Sequence, residues 1–242
     1  MNVVGKTHIG LVRENNQDTL EFGTLGTAAQ YAVVCDGMGG ANGGNIASKI
    51  AVEVIGSRIR DGFNPEHGAS SVERLLASAM ATANAGVYER SQQQPELAGM
   101  GTTVVAAITH GDKAYISHVG DSRMYLLRDG VLSQVTRDHS VVQELIEEGR
   151  ISVEEARSHP RKNYITRAIG VVAEEYGEYD ELDVQPGDRL LLCTDGLTNE
   201  VGTELITELM AQPLEDALEA LVRAALDDGG ADNITVVLMD ID

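Results

Sequence analysis

"AYISHVGDSRMYLLRDGVL", residues 114–132, decides the fold class. Two short apolar runs, 114–118 and 123–128, are separated only by "VGDS", which is too short for a helix. A parallel pair needs a crossover of a dozen residues or more, so the chain must turn straight back on itself. Asp129-Gly130 then supplies the left-handed backbone that a two-residue hairpin requires. The middle third is therefore an antiparallel meander rather than a strand–helix–strand series.

Outward from this meander, apolar runs at 31–35, 102–109, 190–193 and 234–239 read as further strands. Helical periodicity is expected at 44–60, 70–94, 140–148, 203–210 and 214–228. In the second of these, Val72, Leu75, Leu76, Ala79, Met80, Ala83 and Val87 recur at three- and four-residue steps, a stripe made to pack on a sheet. Sheets inside and helices outside follow. The segment 148–170 fits neither pattern. It is basic at Arg157, Arg161, Lys162 and Arg167, and reads as a loop with a short helix flanking the site.

The 242 residues, 43% hydrophobic, can bury one sizeable core, so a single domain over 1–242 is expected. Eighteen basic against 38 acidic side chains leave a net charge of −20, which repels a phosphate backbone and argues against nucleic-acid partners. Most of the acid, including Glu147-Glu148, Glu174-Glu175 and Asp227-Asp228, reads as solvated surface. Cys35 and Cys193 lack CxxC spacing and lie in apolar runs, so they read as buried, reduced thiols. The first residues lack the signal-peptide pattern, and no apolar run nears the roughly 20 residues of a membrane helix. A cytoplasmic monomer is the expectation.

Three aspartates follow apolar strands and precede a glycine or a tight turn: Asp36 after "YAVVC", Asp121 after "AYISHVG", and Asp195 after "RLLLCT". Asp232 stands just before "NITVVLMD", and Asp18 closes "RENNQD". An isolated Asp-Gly is more often a turn than a ligand, and Asp61-Gly62 and Asp129-Gly130 read as turns. The others recur together on rigid strand mounts. Carboxylates converging on one point repel unless they are protonated or joined by cations. Oxygen donors without a His or Cys cluster select a hard ion, Mg²⁺ or Mn²⁺. Gly37 would let a backbone carbonyl or water approach that ion.

At this point the chain resembles a known family. "RENNQD" (13–18), "VVCDGMGG" (33–40), "GTTVV" (101–105), "HVGDSR" (118–123), "TRDHS" (136–140), "ITRAIG" (165–170), "CTDGL" (193–197) and "DNITVV" (232–237) stand in the order found in PP2C-class metal-dependent protein phosphatases. The resemblance implies an α+β fold, a four-layer α-β-β-α sandwich with two central antiparallel sheets flanked by helices. It implies that Asp36 bridges two Mn²⁺ or Mg²⁺ ions, with the Gly37 carbonyl on one. Asp195 and Asp232 complete a shell, and Asp18 acts mostly through a bound water. Asp121 with Asp195 would take a third ion, Arg13 would clamp the phosphate, and Asn233 would orient Asp232 from outside the shell. Water activated by the two ions would attack phosphorus directly, without a phosphoenzyme. The segment 148–170 corresponds to the family's flap.

The same resemblance makes phosphoserine and phosphothreonine proteins the substrates of a stand-alone bacterial enzyme. It would oppose a Ser/Thr kinase, on targets such as a forkhead-associated or secretion-system regulator. Met38 stands where many eukaryotic relatives carry a His proposed to protonate the leaving group, so a bound water, His139 or His159 must serve instead. Gln17 replaces a frequent Glu, and His8 a frequent Asp. His139 also reads as a hydrogen-bonder at a helix start, and His118 as a core histidine. Two other functions compete. A catalytically silent binding module would be expected to have lost ligands that are all present here. A two-metal phosphodiesterase suits the ions but not the charge or the shortage of aromatic residues.

Overall fold

The computed structural model describes residues 2–27 and 29–242, with side chains not described for 40–42. Eleven strands among these residues form two sheets, and every pairing is antiparallel. The first sheet holds β1 (Asn2–His8), β7 (Arg123–Arg128), β8 (Val131–Gln134), β10 (Arg189–Cys193) and β11 (Ile234–Asp240), in the order β1-β11-β10-β7-β8. The second holds β2 (Asp18–Leu25), β3 (Ala29–Met38), β5 (Val104–His110), β6 (Lys113–Val119) and β9 (Glu178–Asp183), in the order β2-β3-β5-β6-β9. The two-residue β4 (Gly101–Thr102) pairs with the end of β3.

Side chains alternate across each central strand, and both faces are covered. In β3, Val33 and Cys35 face one core while Ala32 and Val34 face another; in β10, Leu191 and Cys193 oppose Leu190 and Leu192. This explains why these antiparallel strands read as continuous apolar runs. The middle core, with Val105, Ile116, Met124 and Val237, lies between the sheets. On the outer face of the second sheet pack α1 (Gly40–Gly62) and α2 (Ala69–Gln93). On the outer face of the first pack α5 (Asp195–Thr198), α6 (Thr203–Met210) and α7 (Leu214–Asp227). The result is the four-layer α-β-β-α sandwich expected from the motifs. No helix of the described residues is long and apolar enough to cross a membrane.

The meander expected over 114–132 forms only in its second half: β7 and β8 pair through Asp129-Gly130, whereas β6 and β7 do not pair, because the chain turns through Gly120 and passes from the second sheet to the first. The hairpin at Asp129-Gly130 has φ of 51° and 76°, the left-handed pair that a two-residue loop demands. The stripe on α2 is buried as read, apart from the partly covered Leu75. Strands β1, β2 and β9 are not expected from the sequence, and β8 is expected only as the second arm of the Asp129-Gly130 hairpin. Both β2 and β9 are sheet edges, where one half-wet face dilutes the apolar signal, and β9, "EYDELD", is an acid-rich edge. Between β8 and β9 lie α3 (Val141–Glu147) and α4 (Val153–Arg157), the latter started by a Ser152/Glu155 capping box.

Candidate metal centre

The sheets meet at one end around five aspartates. Asp18 and Asp36 are paired across β2 and β3. Asp36 lies inside β3 rather than beyond it. Thr103 fixes its backbone from both sides: the hydroxyl accepts from Asp36 N–H at 3.0 Å, and Thr103 N–H donates to the Asp36 carbonyl at 2.8 Å. Asp121 follows Gly120, whose φ of 105° turns the chain out of β6. Asp195 opens α5 and accepts from Asn199 Nδ2 at 2.8 Å. Asp232 precedes β11 and accepts from its neighbour's backbone, Asn233 N–H, at 2.8 Å.

A cleft of about 600 Å³ is lined by Asp36, Asp121, Asp195 and Asp232 together with Arg13 and the Gly37 backbone. Met38 lines it as well, and Asn163 and Ile165 close it from the flap side. Asp18 lies beneath, almost fully buried. Its Oδ2 accepts from Thr235 Oγ1 at 2.7 Å and from Thr194 Oγ1 at 2.9 Å. Its Oδ1 is buried with no hydrogen-bond partner. The two threonines were not singled out in the sequence. Their signal was a hydroxyl interrupting apolar strand sequence in "LLLCTDG" and "NITVVL".

Burial first, then mutual repulsion, makes these acids hard to ionise. Asp18 is pushed up to about 7 by burial, with Asp195 and Asp232 adding and the threonine hydroxyls subtracting. Asp121 reaches about 7 by burial and the nearby Asp195. Asp36 is raised well above the usual carboxylate range by burial and four neighbouring aspartates, and Asp195 is raised by burial and Asp232. Arg13 Nη2, on the rim of this ring, donates to Asp232 Oδ2 at 2.6 Å, and the Arg123 guanidinium, held by Asp138, partly offsets Asp121 and Asp195. Two guanidinium groups, one of them already paired with Asp138, cannot balance five carboxylates. A buried, unpartnered carboxylate oxygen within an all-oxygen donor set fits hard divalent cations.

Two sequence roles look different in place. Gly37 was read as leaving room for an ion, but its immediate demand is steric. A Cβ there would collide with the carbonyl of Gly44, because α1 lies directly on the strand. The Asn233 side chain holds the β1–β2 loop rather than Asp232: its Oδ1 accepts from Gln17 N–H at 2.8 Å, and its Nδ2 donates to the Ile9 and Asn15 carbonyls. That loop carries Arg13.

His139 and His159 are not among the residues lining the cleft. His139 is buried and braces the Asp121 turn, with Nδ1 accepting from Gly120 N–H at 3.0 Å and its backbone N–H donating to the Gly120 carbonyl. Its ring stacks on His118, with centroids 4.9 Å apart, and its Nε2 stands 3.0 Å from Glu178 Oε2. These three side chains sit close enough to share a cation, yet Arg167 Nη1 already stands 3.0 Å from the same His139 nitrogen. Burial lowers the pKa of His139, which suits a neutral brace. Cys35 and Cys193 are free, fully buried thiols, Cys193 pushed up by burial to about 12.

Comparison with known proteins gives the family and the fold. The family model described as protein phosphatase 2C matches residues 4–238. The serine/threonine protein phosphatase PstP of Mycobacterium tuberculosis is 39% identical over 233 residues, 96% of this chain. The chain spans 43% of that relative's length. The serine/threonine phosphatase stp of Listeria monocytogenes is 36% identical over 244 residues, covering 100% of this chain and 96% of the relative. The solved catalytic domain of PstP in complex with two manganese ions superposes with a TM-score of 0.87 at 34% identity, covering 100% of this chain and 98% of that one.

Proposed function

The chain belongs to the protein phosphatase 2C family of metal-dependent serine/threonine phosphatases, and from that premise we propose that it hydrolyses phosphoserine and phosphothreonine on proteins with Mn²⁺ or Mg²⁺. The observation that carries this reading is the gathering of Asp36, Asp121, Asp195 and Asp232 around one cleft, with Asp18 behind them and Arg13 on its rim.

Asp36, Asp195, Asp232, Asp18 and the Gly37 carbonyl would hold the two core ions, and Asp121 with Asp195 is available to a third. When bound, such ions lower the pKa of water toward neutrality and offset charge on phosphoryl oxygens. The protein's own residues do the rest. Arg13 has a forked donor that can leave Asp232 for two phosphoryl oxygens, since its side chain is half exposed and its loop is pinned by Asn233. Thr194 and Thr235 hold Asp18 by one oxygen, leaving the other for an ion or its water. Met38 can transfer no proton, so the leaving oxygen takes its proton from water in the cleft.

Chain 1–242 is read as one domain with a flap at about 148–170, working as a cytoplasmic monomer. It would oppose a Ser/Thr kinase acting on the same proteins, forkhead-associated or secretion-system regulators among them. The test compares a phosphothreonine peptide with bis-p-nitrophenyl phosphate under millimolar Mn²⁺ and under chelator. Metal-dependent turnover of the peptide supports the reading. Preference for the diester, or no turnover of either, removes it.

A further inference from the structure

Leu11 and Val12 are the most exposed large apolar side chains among the described residues, at 66% and 68%. Both stand immediately before Arg13, on the loop between β1 and β2, and Val12 lines the aspartate cleft. Apolar side chains scattered singly over a surface need no explanation. These two are adjacent, they follow the exposed Ile9 closely, and they flank the proposed phosphate clamp.

The loop that displays them is fixed in place. Leu11 N–H donates to the Gly230 carbonyl at 2.8 Å, and Asn233 Nδ2 donates to the Ile9 and Asn15 carbonyls. Gly10 is buried with φ of 82°, and a Cβ there would strike the Asp232 carbonyl. His8 adds a further pin, its Nδ1 accepting from Gly10 N–H at 2.9 Å. An aspartate can make the same bond to the N–H two residues on, so His8 supplies what the Asp frequent at this position would. Side chains on a backbone already held still lose little freedom when they are covered.

The group that covers them arrives with the phosphate. Consecutive Cα atoms are 3.8 Å apart, so Val12 is one residue step from the guanidinium that would take the phosphoryl oxygens. A substrate residue one or two positions from the phosphoresidue spans the same distance. Glu14, on the other side of Arg13, also lines the cleft, so an acidic side chain there would meet like charge.

We propose that Leu11 and Val12 are a preformed apolar contact for a substrate residue one or two positions from the phosphoresidue, selecting an apolar side chain there. The inference rests on the phosphatase reading and adds a sequence preference to it.

The test measures kcat/KM of the full chain with Mn²⁺ on phosphothreonine peptides carrying Leu, Ser or Glu at each of the two positions on either side. The wild type should favour Leu over Ser by about tenfold at one of these positions, with Glu lowest. That ratio should hold at high salt, because salt screens charges and not the burial of apolar area. Leu11→Ser/Val12→Ser should bring the ratio to about one, with circular dichroism and Mn²⁺ affinity as in the wild type. Leu11→Met/Val12→Ile should keep it. So should Val131→Ser, which removes a similarly exposed apolar side chain from the β7–β8 hairpin, outside the cleft lining. Equal rates on Leu and Ser peptides, or a ratio that survives the double Ser variant, overturns the contact. Absence of Mn²⁺-dependent turnover of every peptide would instead overturn the phosphatase reading.

Discussion

Thr235 in β11 and Asp18 in β2 belong to different sheets, and the hydroxyl of the first donates to Oδ2 of the second at 2.7 Å. Thr194, just after β10, makes the same bond from the side at 2.9 Å. One carboxylate thus joins the two sheets at the end where the cleft opens, and its second oxygen is left unpartnered. Outer partners of a ligand typically tune metal affinity by about 10- to 100-fold. Thr235→Val, close in shape, should therefore weaken Mn²⁺ binding by about tenfold in calorimetry. Thr235→Ser, which keeps the hydroxyl, should bind nearly as wild type. Equal Mn²⁺ affinity of the Val variant would reduce Thr235 to packing.

The raised aspartates make a signed prediction for the metal-free protein. A carboxyl whose pKa is higher folded than unfolded contributes stability below the unfolded value, and that contribution is lost as pH rises through the folded value. For Asp18 and Asp121 the window runs from about 4 up to about 7, and Asp36 and Asp195 act in the same direction. His139, lowered by burial, opposes them within that window, one group against four. In chelator the melting temperature should therefore fall between pH 5 and pH 8, by about 5 °C or more. Mn²⁺ should remove most of the fall. A melting temperature that rises with pH in chelator contradicts the electrostatics.

Arg13 should show the signature of a forked phosphate ligand. Arg13→Lys keeps a charge near Asp232 but loses the two parallel donors, and kcat/KM on a phosphopeptide should drop by about 10- to 100-fold. Mn²⁺ affinity should change far less. If the Lys variant loses metal rather than turnover, Arg13 acts by holding Asp232.

Gly37→Ala tests how the site is mounted. The added methyl would meet the Gly44 carbonyl, so α1 must lift from β3 or the strand must bend. The expected result is destabilisation by about 3 kcal/mol or more, read as a lower melting temperature in urea and in heat. A near-native melting temperature would show that the helix can shift without cost.

The parts legible in the sequence were those fixed by local chemistry. Asp129-Gly130 marks the β7–β8 hairpin, whereas "VGDS" marks a turn that carries the chain from one sheet to the other rather than a paired hairpin, and the residues around Asp36, Asp195 and Asp232 point to oxygen ligation. What stayed hidden depends on neighbours distant in the chain. Strand β9 is acid-rich and takes its place only from pairing with β6. The glycine at 37 is required by Gly44, and Asn233 is required by the loop at residues 9–17. Thr194 and Thr235 gain meaning only once the two sheets face each other across Asp18.

The central claim is that distant carboxylates form one divalent-cation centre that supports phosphate hydrolysis. Its most direct measurement is a Mn²⁺ binding isotherm, taken with phosphopeptide turnover, for the wild type and Asp36→Asn. The wild type should bind at least two ions and turn over the peptide, while the Asn variant, folded by circular dichroism, should lose at least one ion and nearly all turnover. Matching isotherms and comparable turnover for the two proteins would contradict the account.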